Sequence, residues 1–359
     1  MLLKQSNRLN NKSKPLFLIL MLVILFFIIG ILYSKYIQHK KENFSFYEKL
    51  AYGVDVEILI VGDSIGEGYH ASTPELGWAN LLVSQIRETY GVETILSNVS
   101  MGGNDSYAGY VRTMALNNDI DYDLVVLCYG QNDAVSNFGL YYEALIRAVR
   151  SEYPKASVIS ILESSQKEYT EKMQTIQSLA EHYKISVADT IAPFQEDYDA
   201  YTKDNVHPND AGHRIYCEQI LNIIKPLVDA KEHFVSENID FVDQRATSFE
   251  NFCWYGTEQF TREGNTFTLN TSIKGDILGI DYNFVPGNNN CKILIDETEY
   301  AAPEVVFNYD FSQRHILPVN NWLNGDLVNV EKEIKIVFSE DNSGTMQADG
   351  FKGIAISGQ

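Results

Sequence analysis

The sequence predicts an α/β domain with a parallel β-sheet between helices, followed by an all-β domain. Between residues 56 and 228, short apolar runs alternate with amphipathic stretches, and this alternation is typical of strand–helix–strand units. After residue 232 the pattern changes to short β-rich runs separated by glycine, asparagine and aspartate. The length of 359 residues, 45% of them hydrophobic, is enough for two separate cores.

The first of these domains is assigned to residues 55–230. Strands are predicted at 56–61, 93–96, 124–128, 157–162 and 185–188, and helices near 77–90, 105–116, 139–151, 168–183 and 210–228. Because helices connect successive strands, the sheet is expected to be parallel and covered by helices. Asn209 or Asp210, after Pro208, is expected to cap the last helix.

The second domain is assigned to residues 235–359 and is predicted to be a β-sandwich or jelly roll. Its β-rich runs are 266–269, 277–284, 292–295, 315–319, 333–338 and 353–356. It carries several aromatic residues, among them Trp254, Tyr255, Tyr282, Tyr309 and Trp322. Such rings can stack on sugars, but they are also typical of a β-sheet core, so both interpretations stay open.

The N-terminal region predicts a single membrane crossing. Residues 16–33 are 18 consecutive positions without a charge, and a helix rising about 1.5 Å per residue would span roughly the hydrocarbon core over that length. No small-residue cleavage site follows, which favours a retained signal-anchor over a cleaved signal peptide. The basic residues within 1–15 predict a cytoplasmic tail, so a linker over 34–54 and both domains are expected outside the cytoplasm.

Charge and cysteine content exclude some functions. The net charge is −20 although residues 1–41 contain basic and no acidic residues, and so acidic a surface is unsuited to nucleic acid. The four cysteines are Cys128, Cys217, Cys253 and Cys291. Cys253 and Cys291 could form a disulfide or remain free thiols. No Cys/His spacing suggests a metal site, so no metal or other cofactor is expected.

A serine, a histidine and a nearby carboxylate are the candidate catalytic residues. The first strand runs into GDSIG at residues 62–66, which places the Ser64 hydroxyl at the carboxyl edge of the sheet, where open α/β folds bind ligands. A serine hydroxyl needs a base to accept its proton, and His207 lies on the loop before the last helix. Asp204, three residues earlier, can bind the second ring nitrogen of His207 and stabilise the imidazolium.

Two further loops at the same edge can donate hydrogen bonds to an oxyanion. The sequence NVSMGGN at residues 98–104 follows the second strand, and GQND at 130–133 follows the third. A glycine lets a backbone N–H approach a substrate closely, and Gly103 is favoured for this role. The N–H groups of Ser64 and Gly103 and the side-chain amide of Asn132 are therefore predicted to form a three-donor oxyanion hole.

These blocks, in this order, resemble those of the SGNH (GDSL) hydrolase family. The matches are residues 62–64, Gly103, residues 130–133 and residues 204–207, and the resemblance covers about residues 55–228. It implies a three-layer, flavodoxin-like fold with a triad of Ser64, His207 and Asp204. It also implies ester hydrolysis or acyl transfer without a metal cofactor.

Other interpretations of these residues fit the sequence less well. Residues 62–66 also satisfy the nucleophile elbow of α/β-hydrolases, but there the elbow lies later in the sheet, and the acid and the histidine lie on separate loops. His70, near Ser64 in the sequence, could line the entrance to the site, but a solvated loop histidine is the favoured interpretation. His213, on the last helix, is interpreted as a structural or surface histidine rather than a second base.

The sequence therefore predicts an extracytoplasmic serine esterase, anchored in the cell membrane, that removes small acyl groups from carbohydrate, with O-acetyl as the expected group. One alternative is an O-acyltransferase to a cell-surface polysaccharide, with a multi-spanning membrane acyltransferase as partner. A second alternative is a surface protein that binds carbohydrate without catalysis.

Overall fold

The structure is a computed structural model. It describes residues 19, 21–31, 43–116, 119–233, 239–273, 277–289, 291–295, 298–301, 305–307, 312–318, 332–338 and 348–358. Residues 1–44 and 45–359 are separate compact units. Of the predicted membrane segment 16–33, residues 19 and 21–31 are described as helical, and the remaining positions, like the tail 1–15, lie outside the described residues. No helix among the described residues is both long and apolar enough to span a membrane.

The first domain contains a five-stranded parallel sheet, as the sequence predicts. Its strands are β1 (Val56–Gly62), β2 (Thr94–Asn98), β3 (Leu124–Cys128), β4 (Ser157–Leu162) and β5 (Ser186–Asp189). Their order in the sheet is β2-β1-β3-β4-β5, and all neighbours are parallel. Because the chain winds one way from β1 to β2 and the other way to β3, a crevice opens at the carboxyl ends of β1 and β3.

Helices cover both faces of this sheet. They are α1 (Phe46–Ala51), α2 (Ser64–Glu67), α3 (Trp78–Tyr90), α4 (Ser106–Met114), α5 (Val135–Glu152), α6 (Glu171–Tyr183), α7 (Ile191–Phe194), α8 (Tyr198–Tyr201) and α9 (Asp210–Ala230). Alternate residues of β1 enter two hydrophobic clusters, with Leu59 in one and Ile58 and Ile60 in the other. Burial on both faces explains why the central strands β1, β3 and β4 are largely apolar runs in the sequence.

Helix α1 lies within segment 34–54, which was predicted to be a linker. Its Phe46, Tyr47 and Leu50 are at most 3% exposed and pack in the same cluster as residues of β1 and α9. The helix starts with a capping box, in which Ser45 and Glu48 each accept the backbone N–H of the other. The packed domain therefore begins near Ser45 rather than at residue 55.

The second domain is a β-sandwich. Its strands are β6 (Phe252–Gly256), β7 (Phe260–Glu263), β8 (Thr266–Ile273), β9 (Ile277–Phe284), β10 (Gly287–Asn289), β11 (Cys291–Ile295), β12 (Thr298–Ala301), β13 (Val305–Phe307), β14 (Gln313–Pro318), β15 (Lys332–Phe338) and β16 (Phe351–Ser357). One sheet has the order β12-β11-β15-β8-β7 and another β14-β9-β16-β6, while β10 pairs with β13. Apolar residues of the two larger sheets, such as Ile336 and Ile280, share one core.

The structure bears on two questions that the sequence left open in this domain, the disulfide and the role of the aromatic residues. Cys253 and Cys291 are free thiols, so no disulfide joins them. Tyr282 is fully buried and belongs to the core, whereas Trp254 and Tyr255 are partly buried. Tyr309 and Trp322 lie outside the described residues.

The second domain packs on the first through β14, beside the loop that follows β2. The contact is organised by Asn104, which is 1% exposed. Its Nδ2 donates to the Gly102 and Arg314 carbonyls at 3.0 and 2.9 Å, and its Oδ1 accepts the Ile316 N–H at 3.0 Å. Asn104 thereby ties a strand of the second domain to the predicted oxyanion loop.

Replacing Asn104 with alanine is expected to lower the free energy of unfolding by about 2–4 kcal/mol, because a buried N–H and two buried carbonyls lose their partner. Urea denaturation of the purified protein measures this difference. Asn80→Ala is the matched control, since the Asn80 amide donates to Pro74 in an exposed position. Equal stability of the two variants would show that Asn104 does not secure the domain contact.

Candidate active site

Ser64 is the first residue of α2, directly after β1. Asp63 caps this helix, because its Oδ1 accepts the Ile65 N–H at 2.8 Å. The Asp63 N–H donates to the Cys128 carbonyl at 3.1 Å, which ties the turn to the end of β3. Ser64 therefore lies at the crevice between the carboxyl ends of β1 and β3.

The structure brings together the three residues predicted as a triad. The Ser64 Oγ is 2.8 Å from His207 Nε2, and the His207 Nδ1 is 2.7 Å from Asp204 Oδ2. Both distances are those of hydrogen bonds. The His207 side chain is 17% exposed and that of Asp204 is 40% exposed. This arrangement can carry a proton from a serine hydroxyl to an imidazole that a carboxylate orients.

The three-residue spacing works because Asp204 also folds its own loop. Its Oδ1 accepts the N–H groups of Val206 and His207 at 3.1 and 2.8 Å, which leaves Oδ2 to face the imidazole. Partial burial alone would raise the pKa of Asp204, but the hydrogen bonds from His207 and Val206 outweigh it and lower that pKa. Asp204 is therefore ionised at neutral pH and stabilises an imidazolium at His207.

Two glycines follow β2 beside Ser64. A Cβ on Gly102 would lie 3.5 Å from the Ser64 Cβ and 2.5 Å from the Gln313 Nε2, so a larger residue would have to displace the Gln313 amide. Gly103 has a φ of +72°, which favours glycine. The Gly102 N–H donates to Glu67 at 3.2 Å, whereas the N–H groups of Ser64 and Gly103 bond no acceptor among the described residues. Those two groups can therefore donate to a substrate oxyanion.

The side-chain amide of Asn132, the third predicted donor, lies near these two N–H groups but is hydrogen-bonded within the protein. Its Nδ2 donates to the Asn104 carbonyl at 3.0 Å and to Asp63 Oδ2 at 3.2 Å. Asn104 follows Gly103 in the chain and Asp63 precedes Ser64, so the Asn132 amide lies close to the other two predicted oxyanion donors. To serve an oxyanion it has to exchange one of these bonds, and its role in the hole stays a prediction.

Three buried carboxyl groups lie beside the site: Asp63 and Asp133, which the sequence predicts to orient loops through backbone hydrogen bonds, and Glu163, which was not predicted. Asp63 and Glu163 are fully buried and Asp133 is 7% exposed. Burial, reinforced by the charge of Glu163, raises the pKa of Asp63 well above its usual value, and burial raises the pKa of Glu163 to about 7. Glu163 accepts the Gln131 N–H at 2.7 Å and Asp133 accepts the Ser106 N–H at 2.9 Å. These groups therefore hold the loop after β3 and the start of α4.

Among the residues that the structure describes, two groups of side chains have ligand atoms within 4.8 Å of one another, as a metal site requires. One group is His70, Asp204 and His207, and the other is Asp63, Cys128 and Glu163. In the first, both imidazoles lie against Asp204. In the second, the Cys128 thiol donates to Glu163 at 3.4 Å. Hydrogen bonds account for the closeness of the first group, and in the second for that of Cys128 and Glu163.

The two other histidines near the site have different surroundings. His213 is fully buried, its Nε2 is 3.2 Å from the Tyr69 carbonyl, and burial lowers its pKa to about 4, so it is a neutral structural residue. His70 is not the solvated loop residue that was expected. Its Nε2 is 3.2 Å from Asp204 Oδ2 and its side chain is only 28% exposed.

Comparisons with known proteins bear on the family and the fold. Residues 60–215 match the GDSL-like Lipase/Acylhydrolase family. The fold is similar to that of a two-domain esterase active on acetylated mannans, co-crystallized with mannopentaose (TM-score 0.70, 18% identity, 87% of this chain and 93% of that chain covered). A second structure of a two-domain esterase active on acetylated mannans gives a TM-score of 0.68 at 19% identity with the same coverage. No curated protein sequence matches the chain.

Proposed function

We propose that the protein is an esterase that removes small acyl groups, O-acetyl in particular, from carbohydrate, and the match of residues 60–215 to the GDSL-like Lipase/Acylhydrolase family supports this. The observation that carries this proposal is the hydrogen-bonded chain from Ser64 through His207 to Asp204, at 2.8 and 2.7 Å. The carbohydrate part is supported by similarity, across both domains, to esterases active on acetylated mannans.

In the acylation step, Ser64 Oγ forms a bond to the ester carbonyl carbon while His207 Nε2 takes the hydroxyl proton. The carbonyl electron pair moves to its oxygen, and the N–H groups of Ser64 and Gly103 stabilise that oxyanion. When the intermediate collapses, the bond to the sugar oxygen breaks and the sugar takes the proton from His207. An acyl-serine and a sugar with a free hydroxyl result.

Deacylation repeats this chemistry with water as the nucleophile. His207 takes a proton from water, the hydroxyl oxygen bonds the acyl carbon, and collapse returns the proton to Ser64 Oγ with release of the carboxylic acid. Asp204 remains ionised and stabilises the imidazolium in both steps.

The surroundings of Ser64 support a sugar ester rather than a long alkyl ester. The Gln313 side-chain amide of the second domain lies against Gly102, next to Ser64, and makes that wall polar. On the other side Tyr69 is 46% exposed, with its ring centroid 4.8 Å from that of His207. An exposed ring with a polar tip is a common surface for stacking a sugar.

We also propose that residues 16–33 anchor the protein as a single crossing, with residues 1–15 in the cytoplasm and both domains outside. The absence of charge over these 18 residues supports this. Apolar side chains among the described residues 21–31 are exposed, as those of a lipid-facing helix are.

The proposal is tested with the full-length protein in detergent, given acetylated mannan and a series of esters that differ only in acyl length. We expect acetate release from the mannan, and at least about tenfold lower kcat/KM for long acyl chains than for acetyl, because the wall beside Ser64 is polar. Parallel reactions contain an unacetylated oligosaccharide as a possible acyl acceptor. Its acetylation in excess of hydrolysis would indicate the O-acyltransferase, and mannan binding without turnover of any ester would indicate the non-catalytic protein.

A further inference from the structure

We propose that His70 is a positioning residue of the triad, which binds the carboxylate of Asp204 and makes it a more rigid and less basic partner for His207. The proposal rests on the esterase function proposed above. Its basis is one shared atom: Asp204 Oδ2 is 2.7 Å from His207 Nδ1 and 3.2 Å from His70 Nε2. Because the Oδ1 atom is already bound to two backbone N–H groups, four donors fix this carboxylate.

The turn that carries His70 is held in an unfavourable conformation. His70 has a φ of +67°, in the left-handed region that residues other than glycine rarely adopt. Such a conformation persists only where the surroundings enforce it. Here the first turn of α9 does so from both sides, because His213 binds the Tyr69 carbonyl at 3.2 Å and Asp210 accepts the N–H and O–H of Ser72 at 2.7 Å.

Ring contacts restrict the His70 side chain further. Its centroid is 4.3 Å from that of Tyr69 and 5.5 Å from that of His207, which it meets edge to face. Backbone, ring contacts and hydrogen bond thus all direct Nε2 of His70 at the carboxylate.

Whether His70 is neutral or protonated, its electrostatic effect on the pair of Asp204 and His207 has the same direction. A neutral His70 that donates to Oδ2 stabilises the carboxylate and weakens its hold on a proton at His207, and a protonated His70 additionally repels an imidazolium there. Among the described residues, the other titratable groups near the pair are His213, which burial keeps neutral, Asp210, which Ser72 binds, Tyr198, whose hydroxyl donates to the Asn205 carbonyl, and Tyr69. The pH dependence of kcat/KM should therefore respond to the loss of the bond between His70 and the Asp204 carboxylate.

Two variants separate the hydrogen bond from the ring. His70→Phe keeps an aromatic ring against Tyr69 but cannot donate, and His70→Gln keeps a donor of similar reach without the ring. We expect His70→Phe to lower kcat for an acetyl ester roughly 10-fold with KM within about twofold, since a misplaced base impairs the chemical step rather than binding. In the pH profile of kcat/KM for this variant, the acid limb, where activity falls as the pH is lowered, should shift to higher pH by about half a unit. His70→Gln should stay within about threefold of the wild type in kcat, with a smaller shift.

His182→Gln, at an exposed histidine of α6 that binds the Asp240 carbonyl, is the control and should match the wild type. The inference is wrong if His70→Phe matches the wild type in both kcat and the acid limb of the pH profile. It is also wrong if the two His70 variants lose stability equally while the acid limb stays unchanged. In either case the proposed esterase function is unaffected. If the wild type cleaves no ester, the proposed function fails first and takes the inference with it.

Discussion

Ser64→Ala is expected to lower kcat for an acetyl ester roughly 10⁴- to 10⁶-fold, because alanine cannot form the acyl-enzyme and only binding and oxyanion stabilisation remain. The fold should be unaffected, since the Asp63 cap on the Ile65 N–H does not involve the Ser64 hydroxyl. Steady-state rates with a chromogenic acetyl ester, supported by single-turnover measurements, give the size of the loss.

Ser178→Ala serves as the matched control for this variant. The Ser178 hydroxyl is exposed on α6 and donates to the Gln174 carbonyl within the same helix, so its removal should leave kcat unchanged. A Ser64→Ala protein with one tenth or more of the wild-type rate would rule out Ser64 as the nucleophile.

Asp204→Asn is expected to lower kcat about 10³- to 10⁴-fold. An asparagine can still accept the N–H groups of Val206 and His207, so the loop should keep its shape. Its amide, however, would donate to His207 Nδ1 and thus favour the tautomer that carries the proton on Nε2. That tautomer cannot accept the proton of Ser64.

The pH profile of kcat/KM and the free energy of unfolding, both measured on Asp204→Asn, separate loss of chemistry from loss of structure. Asp199→Asn, at an exposed aspartate in the first turn of α8, is the control and should stay within about twofold of the wild type. Activity of Asp204→Asn within tenfold of the wild type would show that the carboxylate is dispensable.

The first domain was predictable because its sheet is buried on both faces. The central strands β1, β3 and β4 are then largely apolar runs, and Ser64 is placed correctly because the run at 56–61 leads directly into it. The helices of four residues, α2, α7 and α8, are too short to show a period in the sequence. Helix α1 is different, since Ser45 and Glu48 have the spacing of a capping box that the sequence already displays.

The contact between the domains was not predictable in the same way. Asn104 binds the Arg314 carbonyl across 210 positions of the chain, and no local pattern marks a side chain that satisfies backbone groups so far away. The short strands β10, β12 and β13 are likewise set by pairing rather than by their own sequence.

The place of His70 also depends on tertiary structure. It lies 134 positions from Asp204, and its left-handed backbone conformation is imposed by the first turn of α9. The sequence indicated a place near the site only through the short distance between His70 and Ser64 along the chain. The spacing of Asp204 and His207 was a stronger indication of a functional pair. A side chain can accept backbone N–H groups of its own loop only when those groups lie a few residues away.

The most direct test of the esterase account is mass spectrometry of the full-length protein after exposure to a serine-directed phosphonate or a rapidly quenched acetyl ester. We predict a single covalent adduct on the peptide containing Ser64, absent from Ser64→Ala and formed far more slowly by Asp204→Asn. An adduct on a different residue, or ester turnover by the wild type with Ser64 unmodified by either reagent, would contradict the account.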